Sequence, residues 1–250
     1  MWRTFVGYQS LTVKPGFNLI SLNFEPMNEK GEVDIQDLIQ DKTPLIANTA
    51  AGSSDQIQIW DGTKFTTYFY RIKKTNNPNK FTYENCWVDS NNKGEPAVCK
   101  ITKGVGVWFA RPETAPTTAA ITLAGAVSAE KYQHQINPGF NMIGSAFPID
   151  IKPNDSSCPI NWKESGAIAN TAAGSSDQIQ IWNGTAFTTY FYRVKKTNNP
   201  NKFTYENSWV DSNNKGEPAD FEISAGAGFW YARPSDAAAG TLDQVSPIAK

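Results

Sequence analysis

The chain has 250 residues and a formal net charge of −1, with both signs mixed throughout. No basic face or charge run points to nucleic acid or an anionic membrane. No apolar run approaches the roughly 18–20 residues that a membrane span needs. Asn, Thr, Gly, aromatic and β-branched residues abound and strong helix formers are thinly spread, the composition of an extracellular β protein.

One feature organises everything else. Ile46 to Ala97 returns as Ile168 to Ala219, shifted by 122 positions, with four of 52 residues changed: Asp61 to Asn183, Lys64 to Ala186, Ile72 to Val194 and Cys86 to Ser208. The period is far too long for a solenoid. It implies two homologous β-sandwich or barrel-like modules in tandem, residues 1–120 and 121–250, each long enough to bury a core.

In chain order, Met1-Trp2-Arg3 leads directly into strand-like residues with no signal-peptide pattern. Thr4 to Val13 reads as strand, Pro15-Gly16 as a turn, and Phe17 to Phe24 as a second strand. Asp34 offers an N-cap to a short helical turn whose Ile35, Leu38 and Ile39 form one stripe. The second copy keeps Pro138-Gly139-Phe140-Asn141, then diverges from Pro148 to Gly166, which reads as plain loop.

Inside the repeat, Gln56-Ile57-Gln58-Ile59-Trp60 alternates cleanly and Asp61-Gly62 signals a hairpin. A three-residue loop would place Ile59 opposite Phe65 and Ile57 opposite Thr67. That register sorts the apolar side chains best and points Phe69 inward. Gly104 and Gly106, like Gly226 and Gly228, leave room for an aromatic ring or a crossing backbone. Thr4-Phe5-Val6-Gly7 is echoed by Thr122-Leu123-Ala124-Gly125 and by Thr241-Leu242-Asp243. The echo suggests a strand that closes one module and opens the next.

With Phe69 inward, Tyr68 and Tyr70 point out, joined by Tyr83 and Trp87 and by their copies Tyr190, Tyr192, Tyr205 and Trp209. Such rings can stack on sugars, form a protein interface, or be core in a sheet buried on both faces. Cys86 and Cys99 flank the Asn92-Lys93 turn symmetrically, and the second copy replaces both, with Ser208 and Phe221. That is the pattern of a cross-strand disulfide, against two buried thiols. Asp89 to Glu95 has the outline of a Ca²⁺ loop, but Lys93 stands where a ligand is needed, so a polar turn explains it better. His134, the one histidine, reads as a strand-surface residue and builds no triad or metal site. Glu84 with Asp89 lies in turns and not in a pocket. No catalytic residue, metal or cofactor is expected.

The Pro15 to Ile20 and Pro138 to Ile143 phrases, the Ser54 to Trp60 run and the Gly-x-Gly strands before Ala-Arg-Pro resemble β-rich modules of uncharacterised secreted surface proteins of the planctomycete–verrucomicrobial group of bacteria. The resemblance implies export and a structural or adhesive role. The sequence thus points to an extracellular, non-enzymatic structural protein that assembles with copies of itself, by edge-strand pairing or head-to-tail contact of equivalent surfaces. The alternative is a carbohydrate-binding protein with two equivalent aromatic sites.

Overall fold

The structure, a computed structural model, describes residues 5–27, 32–72, 85–91, 94–194, 207–213 and 217–249. Its strands are β1 (Phe5–Val13), β2 (Gly16–Ser21), β3 (Glu32–Asp34), β4 (Gln56–Trp60), β5 (Phe65–Arg71), β6 (Cys86–Asp89), β7 (Lys100–Thr102) and β8 (Gly106–Arg111). They continue as β9 (Ala119–Val127), β10 (Tyr132–Ile136), β11 (Gly139–Gly144), β12 (Gln178–Trp182), β13 (Phe187–Arg193), β14 (Ser208–Asp211), β15 (Gly228–Arg233) and β16 (Gly240–Gln244). The chain is all-β; its helical structure, among the described residues, is two single 3₁₀ turns at Ala51–Ser53 and Ala173–Ser175.

Two five-stranded sheets dominate, in the orders β2-β8-β4-β5-β6 and β11-β15-β12-β13-β14. Each buries one face against a two-stranded antiparallel ribbon, β1-β9 in the first half and β10-β16 in the second. The first core joins Ile57, Tyr68, Trp87 and Phe109 of the sheet to Val13, Ile121 and Leu123 of the ribbon. Ile179, Tyr192, Trp209 and Tyr231 meet Ile136 and Leu242 in the second. β9 pairs with β1 along all of its length, from Phe5↔Val127 to Val13↔Ala119. It is therefore the closing strand of the first half and not one shared between sheets, and the boundary expected after residue 120 falls inside it.

The β4–β5 hairpin differs from expectation in one decisive respect. Trp60 pairs with Phe65, Ile59 with Thr66 and Ile57 with Tyr68, so the loop has four residues, Asp61 to Lys64. The Asp61 carboxylate sets that length by accepting the backbone N–H groups of Thr63 and Lys64 at 2.8 and 2.9 Å, while Gly62 takes a φ of 101°. Moving the register by one residue exchanges the faces of a strand. Tyr68 thereby joins Ile57 in the core, and Phe69 turns to the other face, where it is buried with Cys86 and Val88 beneath Ala51.

Asp34 caps a turn and not a helix: its carboxylate accepts the Gln36 N–H at 3.0 Å, and Ile35, Leu38 and Ile39 are all buried in the first core. The diverged 148–166 segment is no plain loop either. It buries Ile151, Ile160 and Trp162, the last ring lying 5.1 Å from Trp209.

The halves meet through reciprocal contacts. Ile20 bridges Ala227 and Val105 bridges Ile143, each pair related to the other by exchanging halves, as in an isologous dimer interface. Close approach depends on glycine: a Cβ on Gly106 would stand 2.8 Å from the Ile143 carbonyl oxygen, and one on Gly228 2.7 Å from that of Ile20. Room for a crossing backbone, expected of these strands, is used here; Gly104 and Gly226, by contrast, sit in the preceding turns with φ of 79°.

Candidate functional site

An edge strand presents unpaired N–H and C=O groups, and proteins cover such edges or charge them. In this chain most edges are covered by identifiable devices. β2 and β11 are the outer strands of the two sheets, and each is masked by the opposite half. The Ser21 N–H donates to Gly226 O at 2.8 Å and the Gly144 N–H to Gly104 O at 3.0 Å. The indole N–H of Trp182 donates to Phe17 O, and that of Trp60 to Phe140 O, both at 2.9 Å. Leu19, Trp108, Met142 and Trp230 are buried between the halves, with Trp60 and Trp182 against them. Phe17 and Phe140 remain half exposed at the rims.

The opposite margins, β6 and β14, are closed by side-chain amides. The Gln36 amide donates to Trp87 O and Ala97 O at 2.7 and 2.9 Å and accepts the Trp87 N–H. Asn154 does the same for Trp209 and Ala219. Different residue types from unlike segments make the same clamp, so no repeated letter announces it.

β1 is the longest strand whose outer edge has no such cover, since β9, of equal length, is met at Ala126 by Glu25. Among the described residues, no backbone hydrogen bond reaches its second edge. Its outward side chains are Val6, Tyr8, Ser10 and Thr12, paired with Ala126, Ala124, Thr122 and Ala120 of β9. All eight are uncharged, and Val6 and Tyr8 are 63% and 80% exposed. Nothing here protects an edge: no lysine, no proline, no inward charge. The β10-β16 ribbon also has a free edge but is five residues long and polar, with Gln133, Gln135, Thr241 and Asp243 outward. Lys131 pairs with Asp243 at 2.6 Å. The four extra pairs of β1, Phe5 to Tyr8, run past the position where β10 begins.

The expected aromatic site is not assembled. Tyr68, Tyr70, Trp87, Tyr192 and Trp209 are buried core residues, and Tyr190 is half-buried with its ring stacked on Phe221. The outward assignment followed from the hairpin register that the Asp61 loop overrules. Tyr83 and Tyr205 lie outside the described residues, as does Glu84. Cys86 and Cys99 are free thiols and not a disulfide. Ala97 N–H bonds to Trp87 O, which puts Cys86 near Val98; Cys86 packs with Phe69 on one face while Cys99 lies against the main core on the other. Burial pushes the Cys86 thiol up to about 11, so it is unreactive at neutral pH. His134 is buried, not on the strand surface.

The Ser54–Trp60 and Ala-Arg-Pro phrases turn out to be two sides of one structural clamp. In the second half Arg233 reaches Asp177 at 3.0 Å, and the Tyr231 hydroxyl donates to the same carboxylate at 2.5 Å. The first half has Arg111 on Asp55 at 3.1 Å, but Phe109 replaces the tyrosine, and Asp55 Oδ1 and Arg111 Nε are buried without partners. Burial raises the Asp55 carboxyl to about 6, against the pull of the Ile46 N–H and Arg111.

Two surface hollows stand near these elements. One, about 460 Å³, is lined by Cys158, Trp162, Tyr192 and Ser208; the other, about 400 Å³, lies between Phe17 and Trp182 where the halves meet. Among the described residues no cluster of three or more His, Cys, Asp or Glu could hold a metal ion, and no helix is long and apolar enough to cross a membrane. Comparison with family models, curated proteins and solved structures finds no match.

Proposed function

We propose that the chain is a non-catalytic structural protein of the cell exterior that assembles with copies of itself by antiparallel pairing of β1. The supporting observation is selective exposure: β2, β6, β11 and β14 are each covered by a dedicated contact, while the longest free edge carries an uncharged, partly apolar face. An identical strand matches it in length and brings no like-charge repulsion, and two-fold self-pairing is the commonest oligomeric solution. The exterior location is supported by composition alone.

This contact differs from head-to-tail repetition of equivalent surfaces. The equivalent surfaces of the two halves face each other inside one chain, so they are not presented in series. One β1 per chain closes a dimer; a layer or filament would use the outward Val6–Tyr8 face as a second contact.

Val6→Lys with Tyr8→Lys is the direct test, read by sedimentation velocity. Wild-type protein is expected to sediment as a concentration-dependent dimer or larger particle, and the double variant as a folded monomer. A monomeric wild type at high concentration would refute the proposal.

Carbohydrate binding retains one supporting observation, the two equivalent half-exposed groups Phe17, Trp182 and Phe187, and Phe140, Trp60 and Phe65. A monomeric protein retained on a polysaccharide column, and released by Trp60→Ala plus Trp182→Ala, would favour it.

A further inference from the structure

The two halves grip each other at two equivalent points that differ in chemistry. At one, the Gly226 turn of the second half rests on Leu11 and Gln9 of β1. At the other, the Gly104 turn of the first half rests on Tyr132 and His134 of β10; a Cβ on Gly104 would meet the imidazole at 2.9 Å. Leu11 cannot change charge, and His134 can.

Burial and the nearby Lys103 disfavour the charged form of His134, although the Gln244 oxygen can accept from either form. Gln244 Oε1 accepts the Ala146 N–H at 2.9 Å, and its Nε2 donates to Ser145 Oγ at 2.8 Å, which fixes the amide orientation. The His134 Nε2 atom, 3.1 Å from that oxygen, must therefore be the protonated nitrogen. The charged group facing the ring from the other half is a cation, Lys103. Its ammonium lies 5.1 Å from the centre of the Tyr132 ring and 4.7 Å from that of Phe147. Glu25 holds Lys103 at 2.6 Å and is thereby committed to it. Tyr132, the remaining titratable neighbour, donates its hydroxyl to Lys103 O. A second proton on His134 would add a buried positive charge beside Lys103 with no carboxylate bonded to it.

We infer that His134 is an acid-operated latch between the halves, whose protonation releases the Gly104 turn and uncovers the edge of β11. That edge is held by the bond from the Gly144 N–H to Gly104 O and by the Val105–Ile143 bridge, which break first when the turn lifts. The equivalent contact at Ser21 and Gly226, resting on Leu11, stays closed. The outcome is a one-sided opening that presents a second strand edge in acid. It rests on the geometry between the halves and stands whether or not β1 self-associates.

Amide hydrogen exchange, corrected for intrinsic rates, tests this between about pH 7 and about pH 4. The segment containing Gly144 is expected to exchange about tenfold faster or more in acid, while the segment containing Ser21 holds its protection. His134→Leu, which copies the residue at the equivalent point, should abolish the difference. Because the chain has a single histidine, its ring titration by NMR gives a readout that needs no variant: it should remain neutral well below the ordinary histidine range. Equal opening of both segments, opening that persists in His134→Leu, or an ordinary ring titration would each overturn the latch.

Discussion

Arg233→Ala is expected to destabilise the fold by about 3–5 kcal/mol, since it strands the buried Asp177 carboxylate without its cation. Tyr231→Phe should cost less, about 1–3 kcal/mol, because it removes one hydroxyl donor from that carboxylate. Phe109→Tyr in the first half should go the other way. It offers the Asp55 carboxylate a third donor besides Ile46 and Arg111, as Tyr231 does for Asp177, and a gain of about 1 kcal/mol is expected for one charge-assisted bond. Chemical denaturation of the three variants measures all of this. A destabilising Phe109→Tyr with a neutral Tyr231→Phe would mean that the two clamps do not work as described.

The same clamp carries a pH signature. The Asp55 carboxyl, ordinarily near 3.8, is raised by burial to about 6 in the folded chain. The folded state thus holds that proton more tightly than the unfolded state. The resulting stability is fully present below about pH 4 and lost as pH rises through about 6, a change of about 3 kcal/mol. His134 acts in the opposite sense: burial lowers it from 6.5 to about 4, so its contribution is lost as pH falls between those values. In wild-type protein the two slopes oppose each other. His134→Leu should remove the opposing slope, so that stability between about pH 6.5 and about pH 4 falls less towards acid than in wild-type protein.

Gly106→Ala and Gly228→Ala are the second pair of large effects. Each places a methyl group against a backbone carbonyl of the opposite half, at 2.8 and 2.7 Å. Main chain cannot swing aside as a flexible side chain can, so overpacking of about 1–3 kcal/mol is expected for each. Because the added atoms lie between the halves, the loss should also appear as increased exposure of Trp60 and Trp182, read by tryptophan fluorescence. Gly174→Ala, with nothing within 4 Å of its new methyl group, should be near neutral and serves as the control.

The fold class, the hairpins and the glycine approach were legible in the sequence because each has a local cause: two-residue alternation, a turn residue, a missing Cβ. The hairpin face was not, because the Asp61 side chain, by capping Thr63 and Lys64, decides between loop lengths that differ by one residue. Alternation could not arbitrate, since Phe69 and Tyr68 are both buried, on opposite faces. Gln36 and Asn154 were invisible for another reason: they perform one task from segments that share no letters. The Arg–Asp clamp carried a visible signal, two recurring charged residues inside apolar phrases. A charge kept among core residues reads as a buried pair once its partner is sought in the other phrase. The uncovered edge of β1 depends on what every other segment does with its own edge, which no local pattern records.

The central claim, that β1 is the strand left open for a second copy, is tested most directly by hydrogen exchange of the 5–13 segment in dilute and concentrated protein. Self-pairing predicts that protection of this segment rises with concentration, while the segments carrying β6 and β14 stay unchanged. Protection of β1 that does not depend on concentration, or a rise confined to the β6 and β14 margins, would contradict it.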